Sequence, residues 1–504
     1  MAPEAQWLVG LYLLTTLFIG LRAGKRAKKS LSDYLVAGRR LTMPAFVASL
    51  VSTWYGGILG VGEFTWRYGV SNWLVFGVPY YLFAVIFALF LAKKARRSEH
   101  FTIPDQLEAA YGKRTAVAGA GFLFLLTLPA PYLLMIGVLL ALFFPIPLSL
   151  AVVFAAIFSF VYIYRDGLNA VVRTDVLQFA LMFAGFLLVV GYAVFQHGGY
   201  GFLVENLPES HLTWHGGNSV QYILVWYFIA ASTLVDPNFY QRCFAAKTEN
   251  VARRGILISV VLWFLFDFLT TTTGLYARVL LPDLANPVEA FPGLAEVVLP
   301  PLAHGFFLVA LLATIMSTLD SFSFVSAVTL GRDILGKMKF GRAFLEYKKR
   351  LTPSSPHALS FPRRRESRDR AHTMDSRLRG NDGSDGVAKD LDQRRIIVGL
   401  AVSLTLSIIL ALTVDSVIDL WYQFGSVATP ALLVPLASSF SRRWRLRRKT
   451  AFWSILFSGL TALIWLIAGL LTVTPFGNIE PIFPGLAVSI LIFIFDLSRR
   501  KSPE

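Results

Sequence analysis

Cysteine and histidine are scarce in this chain of 504 residues. The single cysteine, Cys243, excludes a disulfide framework. The seven histidines have no spacing typical of metal ligands; His211 and His215 are four apart, but they lie in a glycine-rich loop. The sequence also lacks HExxH, GxSxG and P-loop motifs. We therefore predict no catalytic residues, no organic cofactor and no enzymatic activity.

Charged residues are few as well, at 15% of the chain, whereas hydrophobic residues make up 55%. The mean hydropathy is +0.59, and apolar runs of helix-spanning length recur along almost the whole sequence. Short alternating strands, the signature of a membrane barrel, are missing. The composition indicates an all-α polytopic membrane protein. We predict thirteen transmembrane helices, at about 6–23, 43–66, 72–93, 115–143, 147–164, 174–196, 219–240, 254–277, 303–333, 396–413, 417–438, 451–473 and 478–497.

Acidic residues number 31 against 47 lysines and arginines, a formal net charge of +16. Such a balance can indicate nucleic-acid binding, but the basic residues lie in alternate connections between spans. Loops 197–218 and 281–301, on the predicted opposite side, contain no lysine or arginine. Because cytoplasmic loops accumulate these residues, we predict an N-terminus outside, a cytoplasmic C-terminus and a bacterial inner-membrane location, with no nucleic-acid partner.

The connection 336–395 differs from every other loop. It is rich in Arg, Asp, Ser and Gly and nearly free of large apolar residues. A segment of this kind buries too little surface to offset the entropy of ordering, so we predict a disordered cytoplasmic insert. The remainder, residues 1–497, is predicted to form one transmembrane domain, followed by a cytoplasmic tail at 498–504.

Two spans carry residues that interrupt helices. Four glycines follow Ser52 and Thr53 in the second span, between residues 56 and 62, and the seventh span contains the pair Asp236 and Pro237. Interruptions in corresponding helices of two halves indicate the central binding site of a transporter. The five-helix separation predicts two inverted repeats, at about 43–196 and 219–438.

The ninth span contains the polar stretch ATIMSTLDS, residues 313–321. On a helix its hydroxyls share one face, at Thr314, Ser317, Thr318 and Ser321. A carboxylate inside a span, here Asp320, should face a cavity or a partner because its burial in lipid is costly. Hydroxyls, free carbonyls and a carboxylate are ligands for a hard cation, and sodium is the ion we predict.

Five stretches together resemble the sodium:solute symporter family: SDYLVAGRRL (32–41), TIPDQLEAAYGKR (102–114), GLNAVVRTDVLQ (167–178), DPNFYQRCFAAKTENVARRG (236–255) and ATIMSTLDS with LGRD (330–333). The resemblance implies the leucine-transporter fold, with alternating access around a midplane site. It also implies a sodium site formed by the carbonyls of Ser52, Tyr55 and Thr314 and the hydroxyls of Ser317 and Thr318. A possible second sodium site would use Asp175, Asp320 and Ser321, together with Ser317.

The same resemblance places the substrate beside the two interruptions, and these candidates are Trp54, Gly56, Gly57, Phe228, Ser232, Thr233 and Asp236. Leu59 and Trp263 stand where sugar-transporting members carry Gln and Lys, so a sugar is disfavoured. Because half-helix N-termini suit anionic groups, we expect the substrate to be a carboxylate or an amino acid.

The function expected from these residues is sodium-coupled import of a small organic solute, with sodium and the lipid bilayer as the other partners. One alternative is proton coupling through Asp175, Asp267 or Asp320. Another is a substrate sensor that keeps the transporter body. The sequence leaves the oligomeric state open.

Overall fold

A computed structural model describes residues 3–23, 30–338, 382–414, 417–472 and 479–499. The main part of the predicted insert, 339–381, and the end of the tail, 500–504, lie outside these ranges. Within them every named element is helical, and the one β-bridge joins Leu41 to Ala246. Residues 382–395, which we assigned to the insert, continue the helix of the tenth predicted span.

Helices occupy all thirteen predicted positions, with boundaries shifted by a few residues except at the start of the tenth. They are Pro3–Ala23, Met43–Tyr68, Trp73–Phe90, Lys113–Phe143, Leu148–Asp166, Leu168–His197, Val220–Ala245, Glu249–Leu280, Pro301–Leu335, Asp382–Thr413, Val417–Ser439, Arg448–Thr472 and Ile482–Ser498. In the described part of the chain, nine helices are long and apolar enough to cross a membrane, and three more are apolar but shorter.

The faces of these helices explain why the bundle belongs in a membrane. The ninth span is buried along most of its length, from Gly305 to Asp333. The first and twelfth spans instead expose large apolar side chains such as Leu14, Phe18 and Ile464. A bilayer accepts such an apolar exterior, whereas water would not.

The predicted basic connections meet at one end of the bundle. Leu41 accepts a backbone hydrogen bond from Lys247, and Arg97 pairs with Glu249 at 2.7 Å. At the opposite end of the bundle, the loops without lysine or arginine contact the ends of the helices. There the amide of Val70 donates to the carbonyl of His211, and Gln196 donates to the carbonyl of Val298.

Three of the spans are interrupted, and two of these interruptions were predicted. The second span changes to a 3₁₀ turn at Tyr55–Gly57, and the seventh does so at Ala231–Val235 before Pro237 starts a new helix. The fourth span, predicted as continuous, breaks between Leu126 and Ala130. Pro129 and Pro131 account for this break, because proline supplies no backbone donor.

Candidate functional site

The interruption of the second span lies against the hydroxyl face of the ninth span. The hydroxyl of Ser317 donates to the carbonyl of Ser52 at 2.7 Å and to that of Thr314 at 2.9 Å. The hydroxyl of Thr318 donates to the carbonyl of Thr53 at 2.8 Å. This approach requires glycine at position 56, because a Cβ there would be 2.4 Å from the Cβ of Thr318.

The structure thus brings the predicted sodium ligands of both spans to one buried place. Tyr55, the remaining predicted ligand, lies in the same turn, and its carbonyl accepts the amide of Ile58. A carbonyl oxygen has two lone pairs, so this hydrogen bond does not by itself exclude an ion. For a cation to bind, the hydroxyls of Ser317 and Thr318 must rotate so that lone pairs, and not protons, face it.

The donor set at this place consists of oxygen atoms alone, which suits a hard cation and not a soft one. Among the described residues, no group of three His, Cys, Asp or Glu side chains is arranged to hold a metal ion.

The possible second sodium site has a different arrangement from the predicted one. The guanidinium of Arg242, which is fully buried, lies between Asp175 and Ser321. Its Nη2 atom is 2.6 Å from the Ser321 hydroxyl and 3.3 Å from the Asp175 carboxylate. The same group donates to Thr53 at 2.9 Å, and its Nε donates to Ser49 at 3.1 Å. A protein cation therefore contacts two of the four predicted ligands of this site.

Another predicted ligand of this site, Asp320, makes its hydrogen bonds to a different span. Its carboxylate accepts hydrogen bonds from Ser159 at 2.9 Å and from Tyr162 at 2.5 Å, both on the fifth span. Asp320 thus faces the fifth span, whereas Asp175 and Ser321 face Arg242, and the predicted grouping of the three stays a prediction. On a helix, positions 320 and 321 are about 100° apart, so adjacent side chains face different neighbours.

A cavity of about 200 Å³ lies beside the interruptions of the second, fourth and seventh spans. Its walls are aromatic in large part. The Trp54 ring packs edge-on against Tyr80 at 5.3 Å between centroids, and Tyr132 contacts Trp421 at 6.1 Å. Trp421 fills the space beside Gly57 so closely that a Cβ there would be 1.7 Å from the indole ring.

Four of the seven predicted substrate residues line this cavity: Trp54, Gly57, Ser232 and Asp236. The other three face elsewhere. Gly56 packs on Thr318, as described above, and the Thr233 side chain is buried without lining the cavity. Phe228 was a wrong candidate, because it is 47% exposed and packs against Phe483 on the outside of the bundle. Trp226 and Ile229 of the same helix face the cavity instead.

Other lining residues were not among the predicted substrate contacts. Asp267 accepts a hydrogen bond from the Tyr55 hydroxyl at 2.9 Å and another from the Tyr81 hydroxyl. Trp421 and Tyr422 come from the eleventh span, and Tyr132 follows the unpredicted break in the fourth. The two prolines at 129 and 131 were a signal for that break. No comparable sequence pattern indicated that Trp421 and Tyr422 of the eleventh span would line the cavity.

An ionic cluster closes the basic end of the bundle below the site. Asp105 pairs with Arg332 at 3.0 Å and with Lys337 at 2.9 Å. Burial acts to raise the pKa of Asp105, but the charges of Arg332 and Lys337 outweigh it and lower that pKa to about 2. The cluster thus ties the helix Ile103–Tyr111 to the end of the ninth span.

A bundle of apolar helices with interrupted members around a buried polar centre is the architecture of a secondary transporter. Comparison with known structures agrees on the fold. A Na⁺-coupled sialic acid symporter, solved in a substrate-bound outward-open state, matches with a TM-score of 0.72 and 16% identity, covering 100% of this chain and 99% of its own.

Sequence comparison identifies the family. The model of the sodium:solute symporter family matches residues 34–344. The sodium/glucose cotransporter of Vibrio parahaemolyticus is 26% identical over 377 residues, 64% of this chain and 67% of that protein. The sodium/pantothenate symporter of Haemophilus influenzae is 29% identical over 168 residues, 32% of this chain and only 35% of that relative. The chain therefore belongs to the sodium:solute symporter family, and this membership assigns sodium-coupled symport of a solute.

Proposed function

We propose that this chain imports a small organic solute together with sodium, by alternating access around the interruptions of the second and seventh spans. The architecture we propose has thirteen transmembrane helices, inverted repeats at about 43–196 and 219–438, the N-terminus outside and the C-terminus in the cytoplasm. Inward movement of one positive charge across about 100 mV releases about 2.3 kcal/mol, which supports roughly 50-fold accumulation of a neutral solute.

The sodium ion in this proposal binds to the carbonyls of Ser52, Tyr55 and Thr314 and to the hydroxyls of Ser317 and Thr318. The observation that carries it is the 2.7 Å approach of the Ser317 hydroxyl to the carbonyl of Ser52. Because of this approach, oxygen atoms of the interrupted second span and of the ninth span can bind the same ion. Sodium binding would then favour one packing of the two spans, which couples the ion to the movement of the repeat.

We further propose that one sodium ion is bound and that Arg242 takes the place of a second. Its guanidinium already contacts Asp175 and Ser321, and its fixed positive charge supplies what an ion would supply there. Asp175 would then serve to position Arg242 and not to bind sodium.

Proton coupling is the second candidate. It is favoured by Asp320, whose described hydrogen-bond partners, Ser159 and Tyr162, are hydroxyls and carry no positive charge. A buried carboxylate in such surroundings is suited to carry a proton. Uptake driven by a sodium gradient at fixed pH, and not by a pH gradient without sodium, would decide for the first candidate.

The experiment that tests the sodium site is thermal unfolding of the purified protein with sodium or potassium chloride at equal ionic strength. An ion that binds only the folded state stabilises it by about 2.7 kcal/mol at 100 times its dissociation constant. We expect sodium to raise the melting temperature and Ser317→Ala to remove most of this rise.

Ser323→Ala is the matched control, because it removes a buried hydroxyl of the same helix that has no hydrogen-bond partner among the described residues. A sodium response that is equal in the two variants would contradict the proposed ligands. A response that is absent from the unmodified protein would contradict sodium coupling itself.

A further inference from the structure

The charges around the central cavity are all of one sign. Among the described residues that line it, Asp236 and Asp267 are acidic, and none is a lysine, arginine or histidine. The nearest buried cation, Arg242, is fully enclosed, and its N–H groups are directed to Ser49, Asn238, Thr53, Asp175 and Ser321. An anionic substrate would therefore meet two carboxylates and no free positive group.

Helix N-termini, which led us to expect an anionic substrate, are already occupied in the structure. The second half of the seventh span begins at Pro237, which has no N–H group, and Asp236 accepts the next amide, that of Asn238, at 2.7 Å. At the second span, the N-terminus of the outer half-helix lies beside Gly57, against which Trp421 is packed. The first of these N-termini is thus capped by Asp236, and the second is covered by the indole ring of Trp421.

Aromatic rings supply the remaining chemistry of the walls. Eleven of the twenty-five lining residues are aromatic, a fraction far above that of the whole chain, 14%. The negatively polarised faces of Trp and Tyr attract a cation, most strongly where water is excluded. Trp54, Tyr80, Tyr132, Trp226 and Trp421 come from five different spans, so their rings enclose the space from several sides.

From these observations we infer that the substrate of the proposed symport is a small organic cation of the ammonium class. Its charged group lies near the half-buried Asp236, and its alkyl groups lie against the rings. This inference rests on the proposed function. The volume of about 200 Å³ is below the range usual for drug-sized ligands, about 300–1,000 Å³, and so limits the substrate to a compact molecule. A sodium ion at the neighbouring site adds one positive charge. The two carboxylates, Asp236 and Asp267, carry two negative charges, so one negative charge remains to attract a cationic substrate.

The experiment compares molecules of one shape that differ in charge. The purified protein in sodium buffer is titrated with choline, with its uncharged carbon isostere 3,3-dimethyl-1-butanol, and with pivalate as an anion of similar bulk. Ethanolamine and tetramethylammonium extend the series to primary and quaternary ammonium ions. Quenching of the cavity tryptophans and thermal stabilisation report binding.

We expect at least one ammonium probe to bind about 10- to 30-fold more tightly than the uncharged isostere, since a desolvated cation–π contact contributes about 2 kcal/mol. Asp236→Asn should reduce that preference by a similar factor. Asparagine is an equally good N-cap, so this variant keeps the helix start while removing the charge.

Failure of this inference can be distinguished from failure of the proposed function. If sodium stabilises the protein but no ammonium probe binds better than the isostere, or pivalate binds best, the ammonium class is wrong and symport still stands. If Asp236→Asn leaves the ammonium preference unchanged, the role given to this carboxylate is overturned. If sodium itself has no effect on the unmodified protein, the proposed function fails first.

Discussion

Replacement of Arg242 by methionine is the perturbation that most directly tests how charge is arranged in this transporter. Arg242→Met keeps most of the side chain's length and apolar stem but removes the guanidinium. Five hydrogen bonds are lost, to Ser49, Asn238, Thr53, Asp175 and Ser321. The largest effect falls on Asp175, which is fully buried and whose salt bridge to Arg242 measures 3.3 Å.

The expected loss of stability follows from the charge that remains behind. Breaking a buried ion pair by removing one partner costs about 3–5 kcal/mol, because the other charge is left uncompensated. Asp175→Asn should destabilise the protein by a comparable amount through Arg242. In Arg242→Met/Asp175→Asn both charges are gone, so the loss should be smaller than the sum of the single losses by about 2 kcal/mol or more.

The measurement is the unfolding free energy of four proteins: the unmodified protein, the two single variants and the double variant. Each is unfolded in detergent micelles without sodium. Arg242→Lys is the control variant, because it keeps the positive charge but has no planar fork with which to reach several acceptors. We expect its loss to lie between zero and that of Arg242→Met. Transport measurements add a second readout: with the guanidinium removed, Asp175 and Ser321 can accept an ion, so the sodium dependence of uptake should become steeper.

Additive losses in the double-mutant cycle, within about 0.5 kcal/mol, would refute this reasoning. They would mean that Arg242 and Asp175 are stabilised by separate partners. A sodium dependence that keeps the same steepness in Arg242→Met would refute the narrower claim that the guanidinium replaces a second ion.

Three further predictions follow from the contacts described above. Gly56→Ala should weaken sodium-dependent stabilisation, since its Cβ would be 2.4 Å from that of Thr318. Gly121→Ala should leave it unchanged, because no described residue lies within 4 Å of the added Cβ. Asp105→Asn should lower the unfolding free energy by about 2 kcal/mol at neutral pH. Because the pKa of Asp105 is lowered to about 2 in the folded protein, this difference should be complete above its unfolded value of 3.8 and should vanish as the pH falls through about 2. Asp320→Asn should preserve uptake driven by sodium; loss of uptake with intact sodium binding would instead favour proton coupling.

The sequence alone was sufficient for the features that depend on local pattern. Apolar runs of bilayer length placed the spans because each helix must satisfy its own backbone hydrogen bonds in lipid. Glycine between 56 and 62 and the Asp236–Pro237 pair likewise indicated two interruptions, since these residues disfavour a continuous helix wherever they occur. The shared face of Thr314, Ser317 and Thr318 follows from helical periodicity and needs no tertiary information.

Only the tertiary structure decided which polar groups meet. Arg242 reaches Asp175 and Ser321, which are 67 and 79 residues away, so no local pattern could pair them. The helix rotation that turns Asp320 toward Ser159 and Tyr162 of the fifth span is also set by packing. The charge of the central cavity was decided in the same way. Its aromatic walls and its two carboxylates come from spans that are distant in the chain, so the cavity exists only when those spans are packed together.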